Sequence, residues 1–208
     1  MYQRSCLINY YIDTEFIEDG HTISLISIGI VSSDRREYYA ISTEFKPRKA
    51  SQWVKDNVLS QLPPKPSAIH NPWTSPTDRE ASKAWKSRKT IAHEVEEFLL
   101  GMDERPSIDG YLGKSPEIWG DYCGFDFVAF SQLMSSHKKR KTHNPMVDAY
   151  PANLPYYFHD VRQEWDRIGQ HQLPKQEDGI HNALADARHI KTVWEFLTDY
   201  DRTSDVSR

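Results

Sequence analysis

Apolar and polar positions alternate through the first fifth of the chain. Between Ile23 and Val31, Ile26, Ile28 and Ile30 fall on one side of an extended backbone, and Leu25, Ser27 and Gly29 on the other. A period of two marks a β-strand. Leu7 to Asp13, rich in Ile and Tyr, predicts a strand before it, and Glu37 to Ser42 predicts one after it. Asp19-Gly20 and Asp34-Arg35-Arg36 are turn signals, so the three strands are expected as an antiparallel meander.

The period then lengthens to that of a helix. Ala50 to Leu62 predicts one, with Trp53, Val54, Asn57 and Val58 near helical spacing. Ser87 to Leu100 predicts a second, with Ile91, Val95, Phe98 and Leu99 facing in and Glu94, Glu96 and Glu97 facing out. Phe125 to Met134 and Asp160 to Ile168 follow, the latter with Asp160 as a cap. Asn182 to Leu197 is the last helix, its apolar residues stepping by fours and threes. Glu117 to Tyr122 and Tyr156 to Phe158 read as short strands between them. The order predicts an α/β fold: a mixed five-stranded sheet, three antiparallel strands plus two parallel, flanked by helices.

Proline placement marks the interruptions. Five of the twelve prolines lie between Pro63 and Pro76, which excludes a helix interior or central strand there. Residues 63–87 and 135–155 are expected to be loop insertions in a single domain spanning 1–208, with a short polar tail at the end.

Composition narrows the class. At 208 residues and 38% hydrophobic content, one domain with a sizeable core is expected. Only Cys6 and Cys123 occur, too few for a disulfide framework or a cysteine zinc site. Their placement, on the first strand and at the far end of another, predicts no bond between them. A reducing, cytoplasmic location is the expectation. No apolar run reaches membrane-spanning length, and Met1 to Asp13 lacks a signal-peptide core. The net charge of −4 argues against a broad basic surface for nucleic acid.

Three acidic motifs change that picture. Asp13 and Glu15, in Ile12-Asp13-Thr14-Glu15-Phe16, project from one face of a strand. Two carboxylates there repel each other and call for a positive partner, most simply a hard divalent cation. Asp126 enters the first turn of a helix after the Gly124-Phe125 turn, where the helix dipole accepts an acid. Asp121 competes for the same role. In His181-Asn182-Ala183-Leu184-Ala185-Asp186-Ala187, Asn182 is an N-cap, with His181 on the preceding loop and Asp186 about one turn inside. The alanines leave room for this helix to pack closely on the sheet. Taken singly, each motif fits a solvated strand end, a helix-start acid or a surface histidine.

In this order, Asp-x-Glu, Phe-Asp and His-x4-Asp resemble the DEDDh exonucleases, 3′→5′ nucleases with a ribonuclease H-like fold. The run from Tyr11 to His21, then Ser27-Ile28-Gly29, Tyr38-Tyr39-Ala40, Trp53 and Leu62-Pro63-Pro64 resembles most closely a branch of mycobacterial-type polyadenylate-specific 3′-exoribonucleases. The resemblance implies a site of two Mg²⁺ ions, with Mn²⁺ as substitute. Asp13, Glu15 and Asp186 would hold one, Asp13 would help hold the other with Asp126 acting directly or through water, and His181 would be the general base. It further implies RNA with a single-stranded 3′ end as substrate, 5′-mononucleotides as products, and a homodimer. In the commonest form of the second motif an Asn stands four positions before the Asp; here Tyr122 does.

Thr14, Phe16 and Phe125 flank the acids and are the candidate substrate contacts, the two rings by stacking on a terminal base. Core packing competes, evenly for Phe16 and more strongly for Phe125. The remaining tryptophans and Trp53 are read as core or dimer contacts, and His189 as structural. The basic run His137 to Lys141 suits either a solvated loop or phosphate contacts. A DNA exonuclease, an oligoribonuclease-like trimmer, and a nucleic-acid-binding module on a nuclease fold are the alternatives. The four carboxylates assigned to metal equal the formal charge of −4, so net acidity no longer counts against a nucleic-acid partner.

Overall fold

The computed structural model describes residues 8–65, 79, 82–101, 116–136, 150, 151 and 153–205. The meander forms as the alternation dictates: β1 (Asn9–Glu18), β2 (Ile23–Ser32) and β3 (Glu37–Ser42) pair antiparallel in sequence. Gly20, at φ +80°, makes the first turn, and Asp19 Oδ1 accepts from the backbone amides of His21 and Thr22. A short helix α1 (Gln52–Asn57) follows, flanked by two 3₁₀ turns. After it come β4 (Trp85–Lys86), α2 (Arg88–Leu100), β5 (Glu117–Gly120), α3 (Gly124–Ser136), β6 (His159–Asp160), α4 (Val161–Arg167) and α5 (Ala183–Asp205).

The sheet order is β4-β3-β2-β1-β5-β6, with β5 parallel to β1, β6 parallel to β5 and β4 parallel to β3. The mixed architecture matches the sequence reading, with six strands among the described residues instead of five. The additional strand, β4, is two residues long, too short for any periodicity, and carries a single step of pairing, Ile41 with Trp85 and Ser42 with Lys86. The last edge strand falls on His159–Asp160, one residue after the expected Tyr156 to Phe158. The predicted Ala50 to Leu62 helix is shorter and broken into α1 and 3₁₀ turns.

Strand β1 continues five residues beyond Asp13, so Glu15 lies inside the strand. A bulge sits there: Glu15 pairs with Ser27, but Phe16 pairs with Leu25, leaving Ile26 as the extra residue. A bulge reverses which face the following side chains occupy. Leu25 accordingly joins Ile28 and Ile30 in one core, while Ile26 packs with Ile17, Ala50 and Val58 under α1. Strict alternation had placed Ile26 with Ile28.

Two layers of helix cover the sheet. Ile12, Ile28, Ile30, Ile91, Val95, Phe130 and Leu133 form the core beneath α2 and α3. Tyr11, Val161, Ile190, Val193 and Leu197 form the core beneath α4 and α5 on the opposite face. Successive β1 residues therefore face different helices, Tyr11 toward α5 and Ile12 toward α3. Cys123 is buried and free. Cys6, the basic run 137–141 and much of both expected insertions lie outside the described residues.

Candidate active site

The site forms where β1 leaves the layer of helices. Asp13 and Glu15 share the face of Tyr11, the face covered by α5. Asp13 pairs with Gly29 across the β1–β2 ladder. A Cβ on Gly29 would meet the Ala183 carbonyl oxygen at 2.3 Å. Absence of that Cβ lets α5 start directly against the sheet, with Ala183 and Ala187 fully buried at the contact. Asn182 caps the helix, its Oδ1 accepting from the Ala185 amide at 3.2 Å. One turn in, Asp186 comes to the two strand acids. Carboxylate oxygens of Asp13, Glu15 and Asp186 all lie within 4.8 Å of one another.

Asp126 approaches from the other layer. It sits in the first turn of α3 and is 7% exposed. Its Oδ1 accepts from the Thr14 backbone amide at 2.8 Å and from Thr14 Oγ1 at 2.6 Å. Thr14, between the two strand acids, thus ties the fourth acid to the strand. The competing Asp121 is engaged elsewhere: both its carboxylate oxygens accept from Arg162, at 2.6 and 2.7 Å. Tyr122, at φ +50° and 70% exposed, lies beneath the same guanidinium, 5.0 Å from its ring centre.

The electrostatics of this group are those of an anion cluster without enough positive charge. Burial, then Asp126, Asp186 and Glu15, hold the Asp13 carboxyl well above its ordinary range. Glu15 is pushed up to about 8 by burial and by Asp186 and Asp126. Burial raises Asp126 against the opposing Thr14 hydrogen bonds. Burial raises Asp186 too, opposed by a hydrogen bond from Gln176, by the His181 backbone amide and by the charges of His181 and His189. Gln176 Nε2 donates to Asp186 Oδ1 at 2.6 Å. Oxygen-only donors of this charge density suit a hard divalent cation.

His181 lies on the loop before α5 at φ +67°, a left-handed conformation that a non-glycine residue rarely adopts. The Trp53 ring meets its imidazole edge-to-face, centres 4.7 Å apart at 77°. Phe16 and Phe125 form a pair with centres 5.9 Å apart at 40°. Phe125 is 61% exposed. The core role favoured for it fails because Phe125 follows the turn at Gly124, which points it outward from the first turn of α3.

Sequence reasoning passed over three residues here. Trp53, assigned to a core or dimer contact by residue type, is 54% exposed beside His181. Gln176 and Arg162 carried no local signal, since each acts on a partner ten or more residues away. His189 is half-buried on the Asp186 face of α5, and burial lowers its pKa.

The fold and this acidic face define a class, the ribonuclease H-like exonucleases. Exonuclease I from Methylocaldum szegediense superposes at a TM-score of 0.51 with 12% identity, over 95% of this chain and 41% of that one. Exonuclease I of E. coli, solved with zinc and single-stranded DNA, gives 0.50 with 10% identity, over 95% and 43%. The chain spans about two fifths of those exonucleases, and the likeness to them is one of fold.

Within that class the chain belongs to the Rv2179c-like 3′-5′ exoribonuclease domain family, whose model matches residues 8–198. It is 39% identical to the 3′-5′ exoribonuclease Rv2179c of Mycobacterium tuberculosis H37Rv over 194 residues, covering 93% of this chain and 95% of the relative. The same figures hold for the 3′-5′ exoribonuclease MT2234.1 of M. tuberculosis CDC 1551. By this homology the chain is an enzyme, a 3′-5′ exoribonuclease.

Proposed function

We propose that this chain is a DEDDh-type, two-metal-ion exoribonuclease that removes 5′-mononucleotides from a single-stranded 3′ end or overhang of RNA. The observation that carries the reading is the junction of β1 and α5, where three carboxylates lie within 4.8 Å of one another and a fourth is tied to the intervening Thr14. Asp13, Glu15 and Asp186 would hold one Mg²⁺ or Mn²⁺, and Asp13 with Asp126 the other. When bound, such a pair stabilises the entering and leaving oxygens of phosphoryl transfer.

The chain's own groups do the rest. His181, on the loop beside the cluster, takes the proton of the attacking water, a role suited to imidazole near neutral pH. Half-buried Phe16 and exposed Phe125 offer an aromatic pair on which the terminal base stacks. Thr14 fixes Asp126 and stands beside the scissile end. We also propose that residues 1–208 act as one exonuclease domain, as a homodimer in the cytoplasm. Among the described residues, no helix is long and apolar enough to cross a membrane.

The test uses labelled RNA duplexes with 3′ overhangs and matched DNA, in Mg²⁺, Mn²⁺ or EDTA, with Asp13→Ala and His181→Ala alongside wild type. The expected result is stepwise release of mononucleotides from RNA, abolished by EDTA and by Asp13→Ala. No product from either polymer in either metal overturns the reading. Degradation of DNA alone overturns the substrate assignment, and activity confined to very short RNA favours a trimmer of oligonucleotides.

A further inference from the structure

We propose that Trp53 is a positioning residue for His181, and that the segment from Ser51 to Leu62 is the arm that sets the general base over the site. The inference rests on the general-base reading of His181 given above.

The base is the least anchored member of the site. Asp13 and Glu15 are carried by a strand, and Asp126 and Asp186 by helices. His181 stands on a loop in a left-handed conformation, and among the described residues no hydrogen bond holds its imidazole. The loop itself is tight: Gly179 is also left-handed at φ +71°, and a Cβ there would meet the Ala185 Cβ at 2.7 Å. A backbone this constrained fixes the Cα of His181 but not the side-chain torsions beyond it.

The arm supplies what the loop lacks, at two adjacent residues. Trp53 presents its ring edge-to-face to the imidazole at 4.7 Å, a geometry in which aromatic rings attract beyond the area they bury. Gln61 Nε2 donates to the Ile180 carbonyl at 2.9 Å. The arm is fixed in turn: Ser51 accepts from the Val54 amide, and Val58, 1% exposed, packs with Ile17 of β1 and Ile26 of β2. The same strand that carries Asp13 and Glu15 therefore seats the arm that reaches the histidine. Trp53 itself is 54% exposed, so the core does not account for its placement.

Holding a proton acceptor in line is worth much of a catalytic rate, and a displacement of about 1 Å costs on the order of 100-fold. The experiment is a double-mutant cycle of Trp53→Ala and His181→Ala, with Trp53→Phe as the conservative variant, on overhang RNA at saturating Mg²⁺. Trp53→Ala is expected to lower kcat roughly 10- to 100-fold with KM held within about twofold. Trp53→Phe is expected to restore most of the loss. In the His181→Ala background Trp53→Ala should cost nothing further, because its effect passes through the imidazole.

A second readout needs no activity. The His181 ring C–H resonances of the metal-free protein should be displaced by the indole ring current, keep a displacement in Trp53→Phe, and return toward free-histidine positions in Trp53→Ala. A rise in KM with unchanged kcat identifies substrate stacking on Trp53 and overturns the proposal. Additive losses in the cycle, or His181 resonances indifferent to Trp53→Ala, also overturn it. His181→Ala at the wild-type rate overturns the general-base assignment itself, a result distinct from either.

Discussion

Gly29 of β2 lies against Ala183, the first residue of α5, so closely that a methyl group on Gly29 would enter the Ala183 peptide, 2.3 Å from its oxygen. Gly29 also pairs with Asp13 in the sheet, and Ala183 is one turn before Asp186. One missing side chain thus sets the gap between the strand acids and the helix acid. Gly29→Ala must push α5 outward, since the neighbour is backbone and has no rotamer to give. The expected cost is about 1–3 kcal/mol of stability, read by denaturant unfolding, with loss of nuclease activity larger than the stability loss explains. A variant of wild-type activity would show that the close contact does not set the site.

Thr14→Val keeps the shape of the side chain and removes the hydroxyl that donates to Asp126 at 2.6 Å. The Thr14 amide still holds the same oxygen. A buried hydrogen bond to a carboxylate is worth about 1.5–3 kcal/mol. Asp126 should become freer, and Mn²⁺ affinity measured by calorimetry should fall while the RNA KM changes little. Unchanged metal affinity and rate would remove Thr14 from the site.

Gln176→Leu removes the donor to Asp186 Oδ1 and leaves the carboxylate held by the His181 backbone amide without its side-chain partner. Groups that orient a metal ligand from behind typically contribute about 10- to 100-fold in metal affinity. Titration of activity against Mg²⁺ should show that shift, with near wild-type kcat at saturation. A lowered kcat at saturating Mg²⁺ with no change in Mg²⁺ dependence would contradict it.

The raised acid pKa values fix the sign of a pH effect. Glu15 is pushed up to about 8 in the fold, mainly by burial, while an unfolded glutamate titrates near its ordinary value of about 4.3. Between those values the folded chain holds the proton that the unfolded chain has lost. The Glu15 contribution to stability is therefore full below the ordinary value and is lost as pH rises toward about 8. In EDTA, Glu15→Gln should match wild type near pH 5 and exceed it in melting temperature by about pH 8. Added Mn²⁺ should stabilise wild type more as pH rises, because its ligands must be deprotonated. A stability difference that is flat with pH would contradict the cluster's charge balance.

Asp121 and Asp126 show where reading the chain reached its limit. Both stand near the strand-to-helix turn, and the sequence favours Asp126 through the Gly124-Phe125 turn and its helix-start position. The structure adds what the local sequence lacks: Arg162, forty-one residues on, donates to both oxygens of Asp121, while Asp126 is held by Thr14. The core reading of Phe125, and the core half of the core-or-dimer reading of Trp53, fail for a related cause. Residue type assigns large apolar side chains to the core, but exposure depends on what neighbours arrive, and here both stand open beside the acidic face.

Local physics is written in the chain itself. Period-two and period-3.6 patterns determined the meander, the parallel additions and the capped final helix, and the spacing of Asp13 and Glu15 put two carboxylates on one face. Those are properties of a backbone within a few residues, where side-chain direction follows from geometry alone. The bulge that sends Ile26 away from Ile28, the two-residue strand β4, the Arg162 clasp on Asp121 and the Trp53–His181 contact were decided only by tertiary structure. Each depends on a partner distant in sequence, whose arrival is set by how sheet and helices close on one another, and no local pattern encodes that distance.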